Sequence, residues 1–472
     1  MRNENDLFVT SIHGLDTILG GGFLKGRLYL IEGDPGSGKT ILGNQLAFAN
    51  AQMGKTSLFV TLLSENQGKM LEHLREFDFY ADELLNDKIF YLSGLSELSS
   101  SGLGGFKKFL TQSIRSLKVK LVVIDGFKVV KTFASSELEY STFLHDLNSL
   151  ASTLDCIFVI LNPHTTFDVD RVGVLTDGYI ELKRTDIGMR NTREIYVHKM
   201  RGMDHFEGRH ELRISRDGIR IFPRIELLVA RIPPFHPNLS EDKKSFGIEN
   251  LDRMLKGGVL EGSVTSLFGP PGSGKTLIGL KFLHEGLLEN ENTLYFGFYE
   301  TRDQMLSKAS GVGLDFVPFI KSGQLEYQWY APTEQLIDEL YEKLITTIEG
   351  KKISRVFIDG IEGFKFSAVF ADRLPRFITS LTIKLRSIGV TVIFSEEASM
   401  PSIKKVYHLG EYSAAFENII YLRYVESNFH VKRLINIYKV RSSSYDLSIH
   451  EFHITNHGVE VQKESFKDEG TP

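Results

Sequence analysis

Two eight-residue stretches carry chemistry that the rest of the chain must position. They are Gly33-Asp34-Pro35-Gly36-Ser37-Gly38-Lys39-Thr40 and Gly269-Pro270-Pro271-Gly272-Ser273-Gly274-Lys275-Thr276, and both fit the G-x-x-x-x-G-K-[ST] phosphate loop. Glycines let backbone N–H groups turn inward around a β-phosphate, and the N-terminus of a following helix adds partial positive charge. In such a loop Lys39 or Lys275 reaches the β- and γ-phosphates, and the hydroxyl of Thr40 or Thr276 holds Mg²⁺. A chance glycine-rich turn could mimic one copy. Two copies, each between an apolar run and a helix-like run, make that explanation remote.

Such a site needs a second acid near the metal, at the end of an apolar strand beside the loop. Leu121-Val122-Val123-Ile124-Asp125 and Val356-Phe357-Ile358-Asp359 supply one at nearly matched spacing from each lysine. Phosphoryl chemistry also needs a carboxylate that orients or deprotonates the attacking oxygen. Glu300, after Tyr295–Tyr299, is the candidate in the second copy and a further candidate on the metal. Glu65 lies one residue later in the first copy, and one residue changes the face of a strand. A third feature is Lys199-Met200-Arg201-Gly202-Met203-Asp204-His205, answered by Lys439-Val440-Arg441 and then Tyr445. Lys and Arg two apart on a strand share a face and could meet a γ-phosphate, here one held by a neighbouring subunit. The blander reading is a solvated basic strand.

The elements around these residues repeat. Ser11–Thr40 aligns without gaps on Gly247–Thr276, sharing Leu15-Asp16/Leu251-Asp252 and Gly21-Gly22/Gly257-Gly258. After each loop helix, apolar strands alternate with helices, which predicts a parallel sheet covered on both faces. In the first copy the expected strands are Thr56–Leu62, Lys88–Leu92, Lys120–Asp125 and Cys156–Asn162, with helices near Gln67–Phe77, Phe106–Leu117 and Leu138–Leu154. Shorter β segments follow and predict an antiparallel extension, with Asp217-Gly218 as a hairpin turn. The fold class is therefore α/β: two tandem P-loop domains, 1–232 and 233–461, with a polar tail at 462–472. Prolines 233, 234 and 237 mark an extended linker between them.

The totals agree with this reading. At 472 residues the chain exceeds one ordinary core. A net charge of −5 gives no global basic field for nucleic acid. The single Cys156 sits in an apolar run and excludes an intramolecular disulfide or a cysteine zinc cluster. With no 18-residue apolar run and a polar start at Met1–Asp6, the expectation is a soluble cytoplasmic protein without a membrane segment.

At this point the chain resembles the KaiC family, the double-domain RecA-like ATPases and autokinases of the cyanobacterial clock and their bacterial and archaeal relatives. The resemblance rests on Gly14–Gly22, both loops, Asp125, Asp359, Lys199–Gly202 with His205 and Ile214–Ile219, and Tyr424–Glu426 with Arg433 through Arg441. It implies ATP and Mg²⁺ as ligands and a homo-oligomer, a hexameric ring with ATP between subunits. It places Lys199, Met200, Arg201, His205, Ser215 and Arg216, and Arg433, Lys439, Val440 and Arg441, near nucleotide. It implies a KaiB-like or other signalling partner, and Ser413 as a phosphosite, with Ala414 where a second acceptor would stand. Departures matter: Leu63-Ser64 and Tyr299-Glu300 replace adjacent glutamates, so hydrolysis is expected to be impaired, more in the first domain. The competing readings are a RecA- or RadA-like DNA-dependent ATPase and a nucleotide-gated scaffold with little turnover.

Overall fold

Apolar runs that alternate with helices become a nine-stranded sheet in each half of the chain. The computed structural model describes residues 6–62, 67–163, 169–187, 189–233, 241–397, 413–427, 430–441, 443–456 and 458–465. In the first sheet the loop strand Leu28–Gly33 lies between Ile157–Pro163 and Gly178–Ile187 and is parallel to both. Val119–Asp125, Thr56–Thr61 and Ile89–Ser93 continue the parallel part on one side. Arg190–Met200, Arg209–Ser215 and Gly218–Phe222 extend the other side antiparallel. The second sheet repeats this order around Val264–Gly269, with Thr391–Glu397 and Asn418–Ser427 as its parallel neighbours.

The period of two along each strand explains why the runs are apolar throughout. In Thr293–Gly297, Leu294 and Phe296 join one core cluster while Tyr295 joins another. Val356 and Ile358 likewise face one way and Phe357 the other. Both faces of the sheet are covered, as a parallel sheet requires. The shared Leu-Asp of the two lead-ins also has a reason. Asp16 accepts from the Thr10 and Ser11 amides at 2.9 Å each, and Asp252 accepts from those of Phe246 at 2.7 Å and Ile248 at 3.2 Å. Each aspartate pins the chain entering its domain.

Some boundaries differ from the expectations. The helix expected from Phe106 begins at Leu95, and its two parts meet at Gly102, whose φ of 61° interrupts the helical pattern. Contacts divide the chain into Met1–Arg224 and Ile225–Pro472, upstream of Pro233. The reason is the helix Ile225–Ala230: Ile225 is buried in the second core, and Glu226 pairs with Arg373 at 2.8 Å. Residues 234–240 of the expected linker lie outside the described residues. Gln462–Ser465, expected in the tail, instead complete the last strand Gly458–Ser465, because pairing with His450–Thr455 satisfies backbone groups that polar side chains do not disturb. Among the described residues no helix is long and apolar enough to cross a membrane.

Candidate nucleotide site

Each phosphate loop leaves its strand, turns back and enters a helix, Lys39–Gln52 in one unit and Lys275–Leu288 in the other. The turn needs positive φ at 73° and 108° for Gly36 and Gly38, and at 72° and 105° for Gly272 and Gly274. A side chain at Gly33 would put its Cβ 2.1 Å from the Leu182 carbonyl oxygen, so this glycine also permits close strand approach. Ser37 Oγ and Ser273 Oγ, in the same position of the two loops, are buried without a hydrogen-bond partner among the described residues. The lysines fold back over their loops: Lys39 Nζ donates to the carbonyls of Gly33 and Asp34 at 2.8 and 2.9 Å, and Lys275 Nζ to those of Gly269 and Pro270 at 2.7 and 2.9 Å. Burial lowers the pKa of both amines below the ordinary lysine value.

The strand-end acids meet the loop threonines as the spacing predicts. Thr40 Oγ1 donates to Asp125 at 2.9 Å, and Thr276 Oγ1 to Asp359 at 3.3 Å. A hydroxyl and a carboxylate beside a phosphate cradle are hard oxygen donors of the kind Mg²⁺ takes. Asp359 has further support: Ser395 Oγ donates to it at 2.7 Å and Tyr295 Oη at 2.9 Å. Burial raises its carboxyl pKa above the ordinary aspartate value.

The second loop opens onto a cleft of about 410 Å³. Lys275, Thr276, Asp359 and Glu300 all line it, which brings together residues far apart in sequence. Glu300 forms an ion pair with Lys308 through Oε1, while its buried Oε2 has no partner among the described residues. Three further wall residues, Ser395, Glu362 and Glu397, carried no sequence signal. The Glu397 amide donates to Glu362 Oε1 at 2.8 Å, and Glu397 stands directly opposite Gly269 in the sheet. Tyr299 lines the same cleft, its ring lodged against Gly360; burial, then Glu362, Glu397 and Asp359, push its hydroxyl pKa up to about 12.

The first loop has different neighbours. Arg193 Nε donates to the Gly36 carbonyl at 3.2 Å, and the Arg184 amide donates to Asp34 at 3.2 Å. Neither arginine was singled out by motif. Arg193 does align with Arg433, which lies opposite Tyr424 and over its ring at 5.8 Å. Glu65, with Leu63 and Ser64, lies outside the described residues.

The basic segments occupy the same place in both units. Lys199 Nζ donates to the carbonyls of Gly173, Val174 and Thr176 at 2.8, 3.0 and 2.5 Å, and Arg201 to Val174 at 3.1 Å. Lys439 Nζ donates to those of Ser413 and Phe416 at 3.0 and 2.6 Å, and Arg441 to Ala414 at 2.6 Å. Arg201 and Arg441 lie just beyond their strands, but each converges with its lysine on one short segment. A bulge in each lysine's own strand, with His198 and Tyr438 as the extra residues beside Lys199 and Lys439, re-aims the strand there. Met200 and Val440 end these strands, Met200 being buried. His205 is half-buried in the following coil; Ser215 ends a strand and Arg216 is exposed in the turn. Among the described residues, Arg433, Lys439 and Arg441 do not line the second unit's cleft. Ser413 opens a short 3₁₀ turn, half-buried.

This arrangement can hold a triphosphate twice, with a lysine, a metal-competent Thr–Asp pair and, in the second unit, carboxylates around the reacting end. The family model described as "ATPase: KaiC" matches residues 8–226 and again residues 245–465. The chain is 27% identical to a protein named circadian clock oscillator protein KaiC 1 from Synechocystis sp., over 97% of this chain and 89% of that one. It is 28% identical to circadian clock oscillator protein KaiC from Picosynechococcus sp., over 97% and 90%, and 27% identical to that from Nostoc sp., over 97% and 89%.

Proposed function

This chain belongs to the KaiC ATPase family, and from that premise we propose that it binds ATP in both units, hydrolyses it and assembles into a ring with nucleotide between protomers. The observation that carries the reading is the doubled cradle, in which loop, lysine and Thr–Asp pair recur with the same hydrogen bonds. Phosphate oxygens would replace the loop carbonyls as partners of Lys39 and Lys275. Thr40 with Asp125, and Thr276 with Asp359, would hold Mg²⁺, which when bound offsets the charge of the β- and γ-phosphates. Glu300, through the Oε2 that has no partner among the described residues, would orient the attacking oxygen, with Glu65 in that role in the first unit.

The neighbouring protomer would supply Lys199, Met200, Arg201, His205, Ser215 and Arg216 to the first site, and Arg433, Lys439, Val440 and Arg441 to the second. Lys199, Arg201, Lys439 and Arg441 must then exchange carbonyl partners in their own unit for the neighbour's phosphates. The second unit is the site of autokinase activity in this reading, with Ser413 as acceptor and a KaiB-like or other signalling protein as partner. Incubating the purified protein with γ-³²P-ATP and Mg²⁺ tests the chemistry, with Ser413→Ala as the acceptor control. Absence of both phosphate release and labelled protein refutes it. Size measurement with and without ATP–Mg²⁺ tests the ring, and a monomer in both conditions removes the role given to the neighbour's cations.

A second reading, a nucleotide-gated scaffold with little turnover, is favoured by the Lys308 ion pair, which engages Glu300. Tight ATP binding with negligible phosphate release would select it.

A further inference from the structure

The two phosphate loops match, but residues beside them differ in charge. In the second unit Glu397 ends the strand Thr391–Glu397, Glu362 opens the helix Glu362–Ser367 that follows the neighbouring strand Arg355–Asp359, and both line the cleft with Lys275 and Thr276. The register places Glu397 level with Gly269, the first residue of the loop. The equivalent partner of Gly33 is Pro163. Glu362 lies three residues beyond Asp359, where the first unit has Lys128 beyond Asp125. One repeat therefore carries two carboxylates where the other has a proline and a cation.

Glu362 is half-buried in the first turn of its helix, and Glu397 is exposed at its strand end. Glu362 is held by the Glu397 amide at 2.8 Å, so its orientation is fixed relative to the loop. Lys275 senses Glu397 and Glu362 ahead of Asp359. Both acids also act on Tyr299, which stands in the cleft wall next to Glu300. Glu300 already has a cation, Lys308, on one oxygen.

We propose that Glu362, fixed by Glu397, is a reaction carboxylate of the second unit, sharing or taking over the part of Glu300. The inference rests on the reading of this cleft as an ATP site. In the step, the oxygen of water forms a bond to the γ-phosphorus as the bond from that phosphorus to the β–γ bridging oxygen breaks. ADP leaves with the electron pair of the broken bond, and the water proton passes to the Glu362 carboxylate. Glu397 acts through Glu362 and is a positioning residue. At the equivalent positions the first unit has Lys128 and Pro163.

The test uses the full chain with Lys39→Ala, so that turnover reports the second unit. ATP binding and hydrolysis are measured separately for Glu362→Gln, Glu397→Gln and Glu300→Gln, with thermal melting as the folding control. General acid–base groups contribute about 10²–10⁴-fold, so Glu362→Gln should lower kcat by at least about 30-fold without weakening ATP binding. Glu397→Gln should lower kcat by less, again without weakening ATP binding, because its main-chain contact survives; Glu397→Pro should reproduce the Glu362→Gln loss. Turnover by Glu362→Gln within about 2-fold of the parent overturns the proposal, as does tighter ATP binding with unchanged kcat, which assigns the pair to repulsion alone. Failure of the Lys39→Ala parent itself to bind ATP refutes the nucleotide reading instead, which separates the two.

Discussion

Replacing Arg373 with alanine should unfasten the helix at which the second unit begins. Arg373 donates to both oxygens of Glu226 at 2.8 Å and to both oxygens of Asp338 at 2.7 and 2.8 Å. Asp338 is fully buried and also accepts the Ile225 amide at 3.2 Å. The helix it anchors, Ile225–Ala230, has six residues, too few to persist without tertiary support. Removing the guanidinium leaves a buried carboxylate without its cation, which costs about 3–5 kcal/mol. Glu226 retains some solvent, so most of that cost belongs to Asp338. For a unit of this size the loss lowers the melting temperature by on the order of 10 °C. Urea unfolding measures the stability, and hydrogen exchange over residues 225–230 measures the helix. Exchange there should accelerate before that of the strand Arg355–Asp359. Converting Arg373, Asp338 and Glu226 together to Met, Leu and Met should recover most of the loss, because an apolar cluster has no charge to desolvate. An Arg373→Ala protein within about 0.5 kcal/mol of the parent, with unchanged exchange at 225–230, refutes the reasoning, since taking this guanidinium from a buried acid cannot be that cheap.

Three further outcomes follow from the sites. Lys39→Ala and Lys275→Ala should each remove one nucleotide site, so ATP stoichiometry per chain by equilibrium dialysis falls from two to one in either variant, and to none in both together. Since burial lowers both lysine pKa values, ATP affinity should fall as pH rises at values still below the ordinary lysine pKa; flat binding across alkaline pH contradicts this. His284 packs edge-on against Phe316 and Phe319, and burial outweighs Glu285 and Asp315 to lower its pKa below 6.5. The unfolded chain then binds the proton more tightly, so its contribution to stability is complete above pH 6.5 and lost as pH falls through the folded pKa; His284→Leu should flatten that slope in urea titrations of the second unit.

Much of this was legible because the signals are local. The loops are contiguous, and their glycines are required by positive φ within the same turn. Asp125 and Asp359 were legible because an apolar strand ending in an acid, repeated at matched spacing, has few other uses. Glu362 and Glu397 were not, because sheet order alone brings them to the loop: Glu397 meets Gly269 only when Thr391–Glu397 is inserted beside Val264–Gly269. The partner of Glu300 was hidden for the same kind of reason, since Lys308 reaches it from the helix Arg302–Ser310. The pattern of Lys and Arg two apart correctly indicated a shared direction, but not that backbone carbonyls of their own unit lie there. The helix Ile225–Ala230 looked like the end of the first domain because prolines follow it; a buried isoleucine and one ion-pair network assign it to the second.

The difference between the clefts has an electrostatic consequence that the matching loops conceal. Around the second loop Asp359, Glu300, Glu362 and Glu397 face Lys275 and Lys308. A triphosphate entering there adds negative charge to a wall already dominated by carboxylates, at distances where a partly enclosed medium screens poorly. It is held only if cations enter with it, so affinity in this cleft should depend steeply on divalent ion. Around the first loop Arg184 and Arg193 flank the turn, and Arg193 contacts the Gly36 carbonyl. A triphosphate there meets fixed cations and needs fewer mobile ones. The same carboxylates that weaken ground-state binding in the second cleft are the groups able to take a proton from an attacking oxygen. Tight holding and fast chemistry therefore pull the wall charge in opposite directions, and a duplicated chain can meet both demands by giving one to each repeat.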